Sequence, residues 1–147
     1  MVKRISRGDI IGIDTMVFIY HLEDNLKFSN ITEKLFDNIE NGKYHAVTSI
    51  ITILEILVKP KMEKNFQITS DYRDLLLTFP NLKFSQVDLQ VSDIASTLRA
   101  KYKIKTPDAI QIATAISEKA KVFITDDEQL KKISDIDIIL LSELENH

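Results

Sequence analysis

The chain has 147 residues, 44% hydrophobic and 28% charged, about one domain's length with enough apolar material for its own core and far from the composition of a disordered segment. It has no cysteine, which excludes disulfides, thiolate metal sites and cysteine nucleophiles and leaves oxygen and imidazole as metal-binding atoms. Its 19 Lys and Arg against 22 Asp and Glu give a net charge of −3, which argues against broad adhesion to nucleic acid but leaves room for a local basic groove.

The first β-branched run, Asp9–Ile13, predicts a strand. It leads into Asp14, a carboxylate with Ile10, Ile11 and Ile13 before it and Met16, Val17, Phe18 and Ile19 after it. A buried, unpaired carboxylate costs several kcal/mol, so something must meet that charge. Capping a helix that begins at Thr15 is one local role for it. Ile31–Glu40 predicts a helix stopped by Asn41-Gly42, and Tyr44–Val47 a second strand. Ile50–Val58 predicts a helix ended by Lys59-Pro60, with Glu55 at the margin of its apolar arc, where a Glu is ordinarily solvated. The polar, basic stretch Lys59–Asn65 is the expected mobile segment.

Ser70–Leu77 predicts a helix, Leu82–Ser85 a strand and Leu89–Tyr102 a helix. Pro107–Lys119 predicts another, with Thr106-Pro107 as cap and first helical residue; Asp108 in its first turn suits the helix dipole by roughly 0.3–1 kcal/mol. Lys121–Ile124 predicts the fourth strand, Thr125-Asp126-Asp127-Glu128 a capping turn into a short helix Asp127–Lys132, and Asp137–Leu140 the last strand. The basic start MVKRISRGD lacks the apolar core and cleavage site of a secretory signal and no run reaches about 18 apolar residues, so one cytosolic domain over 1–147, away from membranes, is expected. His21, His45 and His147 are too scattered for a zinc site.

Strands alternating with amphipathic helices predict an α/β fold with a parallel sheet. In such folds strand C-termini and helix N-termini share one edge, where ligands bind. Asp14, Glu55, Asp108 and the pair Asp126-Asp127 all map to that edge. Two carboxylates about 4 Å apart repel by roughly 1–4 kcal/mol at effective dielectrics of 80 to 20. Capping does not explain repeating that cost at one rim, whereas a hard divalent cation such as Mg²⁺ or Mn²⁺ does.

The same segments resemble the PIN domain and, within it, the small VapC-type toxin ribonucleases. Ile13-Asp14-Thr15 with Val17–Tyr20 is similar to that family's opening strand and helix with the first acid, and Thr48-Ser49 with Ile53–Leu57 to the segment bearing the second. Pro107–Ala115 is similar to the helix with the third acid, and Phe123–Asp127 to the Thr-x-Asp after the fourth strand. The resemblance runs from Ile10 to about Leu140. It implies a three-layer α/β/α sandwich with a central parallel sheet of about five strands and a site of three or four acids binding one or two Mg²⁺ or Mn²⁺ ions. It also implies cleavage of RNA, an antitoxin partner seated near the cleft and a homodimer.

Carried onto matching positions, Asp14, Asp108 and Asp127 are the implied metal ligands, and Glu55 is a ligand or orients the attacking water. Thr125 and Asp126 stand behind them. Met16 departs from the family's usual Asn or Ser and cannot hydrogen-bond a phosphate or a metal-bound water in their manner. For phosphate contacts the sequence offers Lys59, Lys61 and Lys64 after the Glu55 helix, and Arg99, Lys101, Lys103 and Lys105 before Asp108, with Tyr102 as a stacking candidate. The main alternative is a PIN-like module that binds RNA or protein without cutting. An aspartate-nucleophile phosphatase would want a second Asp at Met16, three glycines form no phosphate loop, and a receiver domain would carry a lysine where Leu141-Ser142 stand.

Overall fold

A computed structural model describes residues 5–144, so the first four residues of the basic start and His147 lie outside the described residues. Five strands, β1 (Ile10–Ile13), β2 (His45–Ser49), β3 (Leu82–Ser85), β4 (Val122–Thr125) and β5 (Asp137–Leu140), form one sheet in the order β3-β2-β1-β4-β5, every pair parallel. Helices α1 (Thr15–Leu22), α2 (Ser29–Glu40), α3 (Ile51–Met62), α4 (Phe66–Thr78), α5 (Leu89–Tyr102) and α6 (Thr106–Ser117) connect them. The chain runs outward from β1 to β3, then crosses back to add β4 and β5 on the other side. The strand order therefore reverses between β1 and β4, and a crevice opens beyond their carboxyl ends.

Period-two alternation divides β4 and β5 between two cores. Ile11 and Ile13 of β1, Val122 and Ile124 of β4 and Ile139 of β5 pack with Val17, Phe18, Leu35, Phe36, Ile39, Ile56 and Leu76 from the first four helices. Phe123 and Ile138 point the other way, to Val91, Ala95 and Leu98 of α5 and Ala109, Ile112, Ala113 and Ala115 of α6. Both sheet faces are thus covered, as a parallel sheet requires, and the expected α/β/α layering is present.

Two stretches differ from the sequence expectation. Lys59–Asn65 is not a mobile loop: α3 continues through a buried Pro60 to Met62, and the turn is fixed by Glu63 N–H to the Lys59 carbonyl (3.0 Å) and Asn65 N–H to the Pro60 carbonyl (2.8 Å). Proline near a helix end costs only one late backbone bond, and burying its ring in the protein offsets that. Asn65 then caps α4 through Ile68 N–H (3.0 Å), so that helix begins at Phe66 rather than Ser70. The turn after β4 is also tighter than expected, a 3₁₀ helix over Glu128–Lys132 instead of an α-helix from Asp127.

Gly12, in the middle of β1, faces α6. A methyl group there would lie 2.6 Å from Ala115 Cβ and 3.1 Å from the Phe123 ring, so the helix seats on the strand only because position 12 has no side chain. Gly12→Ala is expected to destabilise the fold by about 1–3 kcal/mol through overpacking, read as a lower urea midpoint with an unchanged m-value.

Candidate active site

β1 and β4 deliver the first two groups to the crevice. Asp14 follows β1 directly, its N–H continuing the ladder to the Ile124 carbonyl (3.0 Å). Its side chain caps α1 through Thr15 N–H (2.8 Å) and accepts the Thr125 hydroxyl (2.7 Å). Thr125 is fully buried at the end of β4 and accepts Asp127 N–H (3.1 Å), so its single proton points to Asp14. The capping role expected for Asp14 is real, and it leaves the carboxylate at the floor of the crevice.

α3 contributes Glu55 and α6 contributes Asp108. Thr106 is the first residue of α6 and Lys105 its cap, one residue earlier than the sequence suggested; Asp108 stays in the first turn. Asp127 follows β4 and caps the 3₁₀ turn through Gln129 N–H (2.9 Å). Asp14, Glu55, Asp108 and Asp127 line one cleft of about 580 Å³ together with Asp126 and Glu128, and among the described residues no Lys, Arg or His lines it. The tandem acids are divided: Asp126 accepts the Tyr20 hydroxyl at the rim, whereas Asp127 lies close enough to Asp108 to raise its pKa. The Tyr20 phenol is pushed up to about 12 by that bond, by burial and by the charges of Asp126 and Asp14.

Electrostatics record the crowding. Burial pushes the Asp14 carboxyl up to about 6 against the bond from Thr125, and the charges of Asp108 and Glu55 add to the rise. Asp108 is raised as well, first by burial and then by Asp127, with Lys105 opposing. The donor set consists wholly of hard carboxylate oxygens, suited to Mg²⁺ or Mn²⁺ rather than to a soft metal. As the side chains stand, no group of three acids among the described residues is arranged to hold an ion. They share a cleft without forming a closed cage.

Beneath the cleft lies a buried polar layer. Gln111 is 2% exposed, on α6 one turn after Asp108, and bonds Thr15 of α1, Thr48 and Ser49 of β2, and Thr52 of α3. Thr15 in turn donates its hydroxyl to Glu55 (2.6 Å). These residues did not emerge from the sequence as site residues. The signal available was a glutamine on the core-facing side of the otherwise apolar run Ala109–Ala113.

The expected basic groups divide. Lys59 sits in a hollow that shares Ile19 and Glu55 with the cleft, paired to Glu23 at 3.3 Å, and Lys105 is the cation acting on Asp108. Lys61 lies with Arg73, Leu54 and Val58 on the outer face of α3, and Lys103 closes α5 with φ 58°; neither lines the cleft. Lys101 and Tyr102 are committed to Asp135, and Arg99 bonds the Ile104 carbonyl (2.9 Å). Met16, 40% exposed, sits at the cleft wall. His21 stacks on Phe36 (ring centroids 4.6 Å) and its pKa is lowered by burial, which fits a packing role.

The fold has known counterparts. Among solved structures the fold is similar to VapBC2 from Rickettsia felis bound to a DNA fragment from their promoter (TM-score 0.69, 18% identity, 89% of this chain and 98% of that chain covered). It is also similar to VapBC-1 from nontypeable Haemophilus influenzae (0.69, 22%, 90% and 98%) and to a toxin-antitoxin complex from Klebsiella pneumoniae (0.65, 19%, 91% and 98%). No curated protein matches the sequence. The family model for the PIN domain matches residues 11–136, from the middle of β1 to the approach to β5 and across all four acids. That match spans most of the chain, and with the parallel five-stranded sheet beside it the chain belongs to the PIN domain family.

Proposed function

We propose that this protein is a divalent-metal-dependent endoribonuclease and the toxin of a type II toxin-antitoxin pair. The observation that carries the reading is the cleft itself, lined among the described residues by six carboxylates and no cation at the switch point of the sheet. Asp14, Asp108 and Asp127 would hold the ion, with Glu55 as a further ligand or as the group that orients the attacking water. A bound Mg²⁺ or Mn²⁺ supplies Lewis acidity toward the phosphate and an acidified water. Thr125 fixes the Asp14 carboxylate, and Asp126 is held at the rim by Tyr20. Lys105 and Lys59 flank the acids and would take phosphates on either side of the scissile bond. The likeness to toxin-antitoxin structures supports an antitoxin partner, and the resemblance to the VapC-type family implies its seat near the cleft and a homodimer as the working form.

Met16 favours a second reading, a catalytically weak module that binds RNA or a protein without cutting, because a thioether stands on the cleft wall where the family usually has Asn or Ser. Cleavage of single-stranded RNA with and without Mn²⁺ separates the two. On the nuclease reading the wild type cuts only with metal, and Asp108→Asn lowers the rate at least about 100-fold, exceeding the usual cost of losing an outer partner of a metal ligand. Inducible expression should halt growth for the wild type and not for Asp108→Asn. Cleavage surviving in that variant would sink the assignment.

Two stability measurements test the acid cluster independently of activity. Mn²⁺ at about 100 times its Kd should stabilise by about 2.7 kcal/mol, raising Tm by roughly 5–10 °C; an unchanged Tm removes the site. In the metal-free protein, Asp14 keeps its proton up to about pH 6 when folded but only to its ordinary value of 3.8 when unfolded. The folded state therefore binds more protons between those values, and stability falls as pH rises through the window. Asp14→Asn should thus raise the urea-derived stability at pH 7 by about 1–3 kcal/mol, with the gain fading as pH falls from 6 to 4.

A further inference from the structure

We propose that Gln111 is a positioning residue that, acting through Thr15, fixes the Glu55 carboxylate for catalysis. The inference rests on the nuclease reading and adds a residue whose hydrogen bonds go to Thr15, Thr48, Ser49 and Thr52 rather than to an acid.

The proton accounting in the buried layer starts from the groups that can only donate or only accept. Ser49 N–H can only donate, and it meets Gln111 Oε1 at 3.3 Å, so the amide nitrogen faces the other way, to Thr15 Oγ1 (3.0 Å) and Thr52 Oγ1 (2.7 Å). The opposite amide orientation would leave Ser49 N–H against an NH₂ group and two hydroxyls against a carbonyl. The Ile13 carbonyl can only accept, and it is met by Thr48 Oγ1 at 2.9 Å. Thr48 also faces Gln111 Oε1 (3.2 Å), and Thr52, which accepts the Gln111 amide, has Thr48 (2.7 Å) and Thr15 (3.1 Å) as hydroxyl neighbours. Thr15, whose oxygen receives the Gln111 amide, gives its proton to Glu55 Oε1 at 2.6 Å.

The consequence at Glu55 is specific. It lies on α3, and the Thr15 hydroxyl is its one side-chain hydrogen bond among the described residues. Thr15 adjoins Asp14, and Gln111 lies three residues after Asp108. The relay thus references Glu55 to the elements that carry Asp14 and Asp108, with the Thr15 hydroxyl donating to its carboxylate. A substitution at Gln111 should be felt as a displaced Glu55, in the manner of outer partners that orient metal ligands.

The test uses Thr15→Val, which removes the hydroxyl that bridges Gln111 and Glu55, alongside Gln111→Leu and the conservative Thr15→Ser. Each is measured for Tm, for Mn²⁺ affinity by calorimetry, and for kcat and KM on a labelled single-stranded RNA. Thr15→Val and Gln111→Leu should each lower kcat by about 10–100-fold with KM within about two-fold, and weaken Mn²⁺ binding by about ten-fold. Thr15→Ser should restore both, and in a Glu55→Ala background Thr15→Val should cause no further loss of Mn²⁺ affinity. Wild-type kcat and Mn²⁺ affinity in Thr15→Val overturn the proposal, as does an undiminished loss in the Glu55→Ala background, which would mark a merely structural role. A wild type that cuts and binds metal while these variants match it rejects this role alone. A wild type that does neither rejects the nuclease reading and this role with it.

Discussion

The structure depends on keeping like charges together at one end of a parallel sheet. Asp14, Glu55, Asp108 and Asp127 come from four separate elements, and the raised pKa values at Asp14 and Asp108 record that burial and mutual repulsion work against their ionised forms. The fold offsets this with two well-filled cores, one on each face of the sheet. It holds Asp14, Glu55 and Asp127 by hydrogen bonds, while Lys105 is the cation acting on Asp108. Ion pairs are present elsewhere, at Lys83–Glu118 and Lys131–Glu143 for example, but these are exposed or half-exposed pairs of the kind that contribute little.

Between the acids and the cores lies a thin layer of neutral polar groups. Thr15, Thr48, Ser49, Thr52, Gln111 and Thr125 are all buried, and no buried side-chain polar atom among the described residues lacks a partner. A fully satisfied network of this kind is stiff, because each lost bond strands a group that cannot reach water. The apolar cores set where the helices lie, and the polar layer sets how the side chains at their ends are turned. Gln111 belongs to both, being on a helix whose neighbouring residues Ile112 and Ala113 are fully buried.

Most of the architecture was legible in the sequence because its signals are local. Strand runs such as Lys121–Ile124 and helix stops such as Asn41-Gly42 are written in adjacent residues, and the strand-edge rule was enough to bring four acids together. What escaped depends on tertiary context. Pro60 reads as a terminator until the interior that buries its ring is known, and Asn65 reads as loop until it is seen capping α4. Lys61 and Lys59 are two residues apart in a basic stretch, yet helical geometry sends one to the outer face and the other beside Glu55. The buried layer was the hardest to see, since Thr15, Thr48 and Thr52 are unremarkable singly and acquire a role only when Gln111, more than fifty residues away from each, arrives among them.

Gly12 carries this dependence into a place with no functional group at all. Its strand runs straight into Asp14, and the helix it admits carries Asp108 and Gln111, so the clearance left by one hydrogen atom is a shim between two parts of the same apparatus. Machinery gauged in this way is sensitive to bulk on the side of the strand facing away from Ile11 and Ile13. A position invisible to solvent and devoid of chemistry thereby acquires the intolerance normally associated with a ligand.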